Sequence, residues 1–265
     1  KSVDKQIHIF NKNDFSYLTS IGNFGEGPEE ITVMGCLAID EAHHQLYVSD
    51  HAKQKIFSYD MDSVMVDSLY KPQVKTAMNE TLFPSEYQYI NDTLSIAVLI
   101  KPTSTSTFNQ FLGRWNMNTG EMIPMKYTHP DIQKKRITFA ASEKAGIYVE
   151  CYTRHDLMTI CSLDGELLYN IYGPDWDGGN GNKLQSFGTV MIGNDKIFVS
   201  YCGEDYARDS FPTKILVFDL EGNYLKTLET GYKISDCCYD SFNNRIILSL
   251  NDVVQFAYLD IDGII

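Results

Sequence analysis

Two short pieces of the stretch 43–62 decide the reading: His43-His44-Gln45-Leu46-Tyr47-Val48-Ser49-Asp50, then Lys55-Ile56-Phe57-Ser58-Tyr59-Asp60-Met61-Asp62. In the first, a polar turn leads into an apolar run too short for a helix and rich in β-formers, which predicts a buried strand. In the second, an aromatic and aliphatic strand runs into an Asp-rich turn of the kind that tolerates positive φ and closes tight hairpins.

Both pieces recur along the chain. Polar turns precede Leu94-Ser95-Ile96-Ala97-Val98, Ile147-Tyr148-Val149, Ile197-Phe198-Val199-Ser200 and Ile246-Ile247-Leu248-Ser249. The strand-into-turn piece returns at Ile7–Asp14, Arg114–Gly120, Ile160–Gly165, Leu216–Gly222 and Ala257–Gly263. The second set of turns is spaced by roughly 41–57 residues, close to the repeat of a four-stranded propeller blade, with strands a to d running from the axis outward. A lone blade cannot bury both faces, and stacking blades radially solves this. The expectation is an all-β chain, a single β-propeller domain over residues 1–265 built of four-stranded antiparallel blades. Six c–d hairpins stand against five a–b hairpins, so the first blade is expected to be incomplete in this sequence. Six blades are preferred because five would leave Val253–Leu259 without a place, and five is the alternative.

Composition narrows function by exclusion. The 265 residues carry 35 acidic against 22 basic side chains, a net charge of −13 that disfavours nucleic acid and anionic membranes as partners. No apolar run approaches the ~20 residues of a membrane-spanning helix. Six cysteines form no CxxC pair and no zinc spacing, and most sit in apolar runs, so they are expected to be free and buried. Cys237 and Cys238, adjacent on a strand, are expected to face opposite sides. No GxSxG, HExxH, Walker A or dinucleotide-binding motif occurs.

The run Gly22-Asn23-Phe24-Gly25-Glu26-Gly27-Pro28-Glu29-Glu30, followed by Leu46–Asp50 and Lys55–Asp60, resembles the glycine-rich stretch and blade repeat of TolB-like six-bladed propellers of Bacteroidetes, with NHL-like blades. The resemblance covers essentially the whole chain. It implies a six-bladed propeller exported to the periplasm or the outer membrane, often as a lipoprotein, and it implies no reaction. Gly22–Gly27 is not a phosphate loop, because Glu26, Glu29 and Glu30 crowd it with negative charge.

Propellers bind ligands on the face where d–a and b–c loops meet, so long loops there supply the candidates. Asp50-His51 and Arg154-His155-Asp156 occupy b–c turns and offer histidine–carboxylate chemistry at the axis. Trp176, in the loop 172–186, is either a stacking platform or loop packing. Asp175 and Asp177 beside it fail the calcium-loop spacing. Glu204, Asp205, Tyr206 and Arg208 sit in the charged loop 201–212, and the Ser/Thr-rich loop 101–109 reads as an excursion. The leading expectation is a non-catalytic binding or scaffolding propeller of the cell envelope, with no cofactor and with a protein, peptide or glycan as partner. The alternative is a calcium-dependent hydrolase or lactonase whose ion is ringed by Asp50, Asp156, Glu204, Asp205, Asp236 and Asn251.

Overall fold

Most polar turns of the repeat place a residue in the left-handed backbone region, and the chain supplies residues that accept it. His44, Asn194, Asp195 and Asn244 all adopt φ between 46 and 53°. The computed structural model describes residues 4–67, 69–104, 106–181, 184–205 and 210–265. They form two compact units, Lys1–Pro124 and Met125–Ile265.

The first unit opens with β1 (Lys5–Phe10) and β2 (Tyr17–Asn23), paired as a two-stranded antiparallel ribbon. One blade follows as β3 (Met34–Asp40), β4 (Gln45–Asp50), β5 (Lys55–Asp60) and β6 (Gln73–Ala77). The next is β7 (Phe83–Asn91), β8 (Leu94–Pro102), β9 (Phe108–Trp115) and β10 (Met122–Pro124). Between β5 and β6 the expected tight hairpin is replaced by a short helix, α1 (Met61–Val66). Asp60 caps it, its side chain accepting a hydrogen bond from the Ser63 N–H at 2.7 Å. The residues that read as a turn therefore start a helical turn, whose Val64 packs into the core with Ile7, Ile21, Ile31, Val48, Phe57 and Tyr59.

The second unit holds β11 (Ile137–Ser142), β12 (Ile147–Tyr152), β13 (Leu157–Ser162) and β14 (Leu167–Tyr172) as one blade. A second comprises β15 (Leu184–Gly193), β16 (Lys196–Asp205), β17 (Lys214–Asp219) and β18 (Tyr224–Glu229). The last sheet has three strands, β19 (Ile234–Asp240), β20 (Arg245–Leu250) and β21 (Phe256–Asp260). All strand pairs are antiparallel meanders, as the turns require. Burial grades across a blade: all six residues of β12 are buried, whereas β14 is mostly exposed. An inner strand is covered on both faces and an outer one forms the edge, which explains why the inner runs are unbroken apolar stretches.

Two boundaries depart from the sequence reading. Strand β16 continues to Asp205, with Glu204 opposite Gln185 on β15, so the first part of the expected loop 201–212 is strand. The expected Val253–Leu259 strand starts at Phe256 and pairs with β20. Every cysteine is free: Cys151, Cys161, Cys202 and Cys237 are buried, Cys36 is half-buried and Cys238 is exposed on the opposite side from Cys237.

Candidate functional site

In the first unit, Asp50 is fully buried at the end of β4 and spends its carboxylate on the backbone. It accepts from the N–H groups of Thr32 (2.8 Å), Val33 (3.2 Å), Ala52 (3.0 Å) and Lys53 (3.2 Å). Burial alone would raise its pKa, and these bonds reverse that and hold it below the usual carboxylate range. Asp50 thus closes the b–c turn. His51 beside it packs against Phe83 and under Gly35, where an added Cβ would lie 2.4 Å from the ring. The glycine-rich run also has an internal partner: Lys53 Nζ donates to the carbonyls of Gly27 (2.6 Å) and Glu30 (2.5 Å). Glu30 in turn accepts from the Gly27 N–H at 2.8 Å.

The second unit gathers more. The b–c turn between β12 and β13 carries Arg154, His155 and Asp156, and the loop between β14 and β15 folds back over it. Asp156 is buried and accepts from the Asp175 N–H at 3.0 Å. Gly173 is required there, since a Cβ would fall 2.1 Å from that carboxylate. Burial raises the Asp156 pKa, reinforced by the nearby Asp175 charge. Asp177 folds its own loop by accepting from the Gly181 N–H at 2.7 Å. Trp176 is wedged against His129, His155 and Tyr172, with centroid distances of 5.5, 6.0 and 5.0 Å. It is half-buried in these contacts.

His155 is only 6% exposed, and its Nδ1 is buried without a hydrogen-bond partner, 3.9 Å from the Asp177 carboxylate. It lines a cavity of about 750 Å³ with Lys134, Arg136, Arg154, Asp131 and the glycine-rich segment Gly178–Gly181. Lys134 and Arg136 flank Lys135 in the segment that leads into β11. Lys135 turns inward to the fully buried Glu150 carboxylate at 2.5 Å, while its neighbours are exposed on the cavity wall. Three cations against Asp131 make a wall that attracts negative charge.

Sequence reasoning brought Arg154 and His155 to this site but missed Lys134, Arg136 and His129. The Lys134-Lys135-Arg136 run was the available signal. His129 lies in an irregular stretch with no periodicity to mark it, and is held by Tyr172 Oη at 3.0 Å. Glu204 and Asp205 are exposed at the end of β16, and Tyr206 and Arg208 lie outside the described residues. Asp236 accepts from Thr189 Oγ1 at 2.6 Å, and Asn251 is exposed. Among the described residues no three His, Cys, Asp or Glu side chains come together as metal ligands. The carboxylates nominated for calcium fit poorly for a further reason: Asp50 and Asp156 are already committed to backbone N–H groups.

Burial holds His51, His129 and His155 below the ordinary histidine range, opposed by Asp50, Asp131 and Asp177 respectively. Stability from keeping them neutral is complete above the unfolded value of about 6.5 and is lost as pH falls through the folded values. Asp156, with its raised pKa, works in the opposite sense. With three groups against one, the melting temperature should fall between pH 7 and pH 5. His51→Phe should flatten that slope, and an unchanged slope in this variant would count against the assignment.

The DUF5128 family, described as a 6-bladed β-propeller, matches residues 1–149. A protein of unknown function from Bacteroides caccae superposes with a TM-score of 0.55 at 12% identity, over 98% of this chain and 87% of that one. A DUF4221 member from Bacteroides vulgatus gives 0.64 at 10% identity, again over 98% and 87%. The extracellular domain of what is described as a one-component system from B. thetaiotaomicron gives 0.53 at 14% identity, over 88% of this chain but 28% of that chain. No curated protein matches. The structural likenesses speak for the fold alone, an all-β propeller of four-stranded antiparallel blades. The described residues form five blades and the β1–β2 ribbon, where the family description counts six. The chain belongs to the DUF5128 family of six-bladed β-propellers.

Proposed function

We propose that this chain is a non-catalytic binding propeller, one domain over residues 1–265, whose ligand presents a compact negatively charged group to the cavity of the second unit. The observation that carries the reading is the cationic wall of Lys134, Arg136 and Arg154 beside the buried His155, in a chain of net charge −13. Charged donors on an acceptor group give the stronger class of hydrogen bond, and Arg adds a fork that matches a carboxylate or phosphate. The rest of the surface repels long polyanions, so a small acidic group on a glycan or peptide suits it better than nucleic acid. His155 and Asp156 hold the loop rather than each other, which favours binding over general-base chemistry. Support for export to the periplasm or outer membrane comes from the TolB-like, NHL-like blade motifs and from Bacteroides neighbours that include an extracellular domain. No described helix is long and apolar enough to cross a membrane.

The test is calorimetric titration with sugar acids, sugar phosphates and short glutamate peptides. Binding by at least one class is expected, weakened by added salt and by at least about tenfold in the Lys134→Ala/Arg136→Ala double variant. No binding by any class, or equal binding in the variant, would refute the reading.

A further inference from the structure

A second cavity, of about 560 Å³, lies wholly within the first unit, among β2, the glycine-rich loop and the segment after α1. Two of its lining residues carry buried polar atoms without partners: Tyr59 Oη and Asn23 Oδ1. Tyr59 is 2% exposed and its ring belongs to the apolar core, so its hydroxyl has been carried out of water to a place where nothing in the chain receives it. A buried polar group in that position is costly unless something else satisfies it. The volume is many times that of one bridging water, which occupies ~30 Å³.

The remaining wall is rich in hydroxyls and its charges are largely spoken for. Thr19, Ser20 and Tyr70 also line the space. Tyr70 Oη accepts from the Asp60 N–H at 3.0 Å, which leaves its proton to donate. Lys71 pairs with Glu29 at 2.8 Å, and Glu30 accepts from the Gly27 N–H. Gly22 matters here because it keeps the backbone of β2 thin beside Tyr59: an added Cβ would lie 3.7 Å from the hydroxyl and 2.7 Å from Ile31 Cδ1. Its φ of 71° independently disfavours a side chain.

We propose that this cavity is a separate binding site for a neutral, hydroxyl-bearing ligand, a saccharide unit, received by Tyr59 Oη and Asn23 Oδ1 beside the Tyr70 ring. A sugar hydroxyl can donate to the Asn23 oxygen while a neighbouring one accepts from Tyr59, and the Tyr70 ring on the cavity wall suits the apolar face of a pyranose. Burial pushes the Tyr59 pKa up to about 12, so the hydroxyl keeps its proton across the working range. The Tyr70 ring packs on Tyr59, with centroids 6.3 Å apart and planes tilted at 45°, which fixes the Tyr59 ring in place.

Saturation-transfer NMR on the full chain, with methyl α-glucoside, methyl β-galactoside and methyl N-acetyl-β-glucosaminide as probes and N-methylacetamide as control, tests this. Transfer to at least one sugar is expected, with affinity about tenfold weaker in Tyr59→Phe. Should Tyr59→Phe melt early, Asn23→Ala gives the same reading with the backbone bonds of β2 kept. The Lys134→Ala/Arg136→Ala variant should bind the sugar as wild type does, which separates failure here from failure of the acidic-ligand site. Transfer to the amide alone, to no probe, or equally in wild type and Tyr59→Phe overturns the proposal.

Discussion

Lys135→Ala should lower the melting temperature by on the order of 10 °C. The Glu150 side chain is wholly inaccessible on β12, and Lys135 Nζ meets it at 2.5 Å with its own side chain 9% exposed. Tyr152 donates to the other carboxylate oxygen at 3.1 Å. Removing the lysine strands a charged group among Tyr148, Cys151 and Tyr152, all of them buried. Breaking such a pair costs about 3–5 kcal/mol, and a chain of this size loses roughly 2–4 °C per kcal/mol. The pair need not be a net gain over apolar packing, so Lys135→Met/Glu150→Leu should recover most of the loss. Thermal melts of both variants decide the matter, and a single variant melting within about 2 °C of wild type would show that the pair is not structural.

Gly181→Ala should abolish most acidic-ligand binding while leaving the fold in place. Gly181 sits at φ 54°, and a Cβ there would fall 2.0 Å from His155 Cε1. Either the ring leaves its place on the cavity wall or the loop lifts off it, and both change the site. Backbone strain adds about 1–3 kcal/mol of destabilisation. Gly178→Ala is the matched control, with φ 70° but nothing within 4 Å of the added Cβ. It should share the strain and keep the affinity. Loss of binding in both variants, or in neither, would mean that contact between Gly181 and His155 does not shape the site.

Turn chemistry made the blades legible. His44, Asn194 and Asn244 were read as turn residues and adopt the positive φ that such turns need, and apolar runs such as Ile147–Val149 are the covered inner strands. Where a local signal competes with a tertiary one, the reading failed. Asp60-Met61-Asp62 carries the residues of a tight turn, yet Val64 finds an apolar pocket two residues later and the segment winds into α1. The cavity beside His155 was half visible: Arg154 and His155 stood out in a b–c turn, but Lys134 and Arg136 come from a stretch some twenty residues upstream that carries no repeat. Only folding sets Lys135 inward and its neighbours outward. Trp176 was visible as an unusual residue, but its contacts with His129 and Tyr172 come from the fold and leave no mark in the local sequence.

The glycine-rich run of the first unit has a consequence for reading such runs elsewhere. Its carbonyls converge on an ammonium group that the same chain delivers from the next hairpin, Lys53, 23 residues beyond Glu30. The loop is in effect a receptor already occupied by its own protein, with the polarity of a cation trap rather than an anion cradle. A search for kindred loops gains discrimination by asking for the distant lysine together with the glycines. Amine-reactive labelling should find Lys53 slow where exposed lysines such as Lys144 react at once, a chemical signature that the loop is closed.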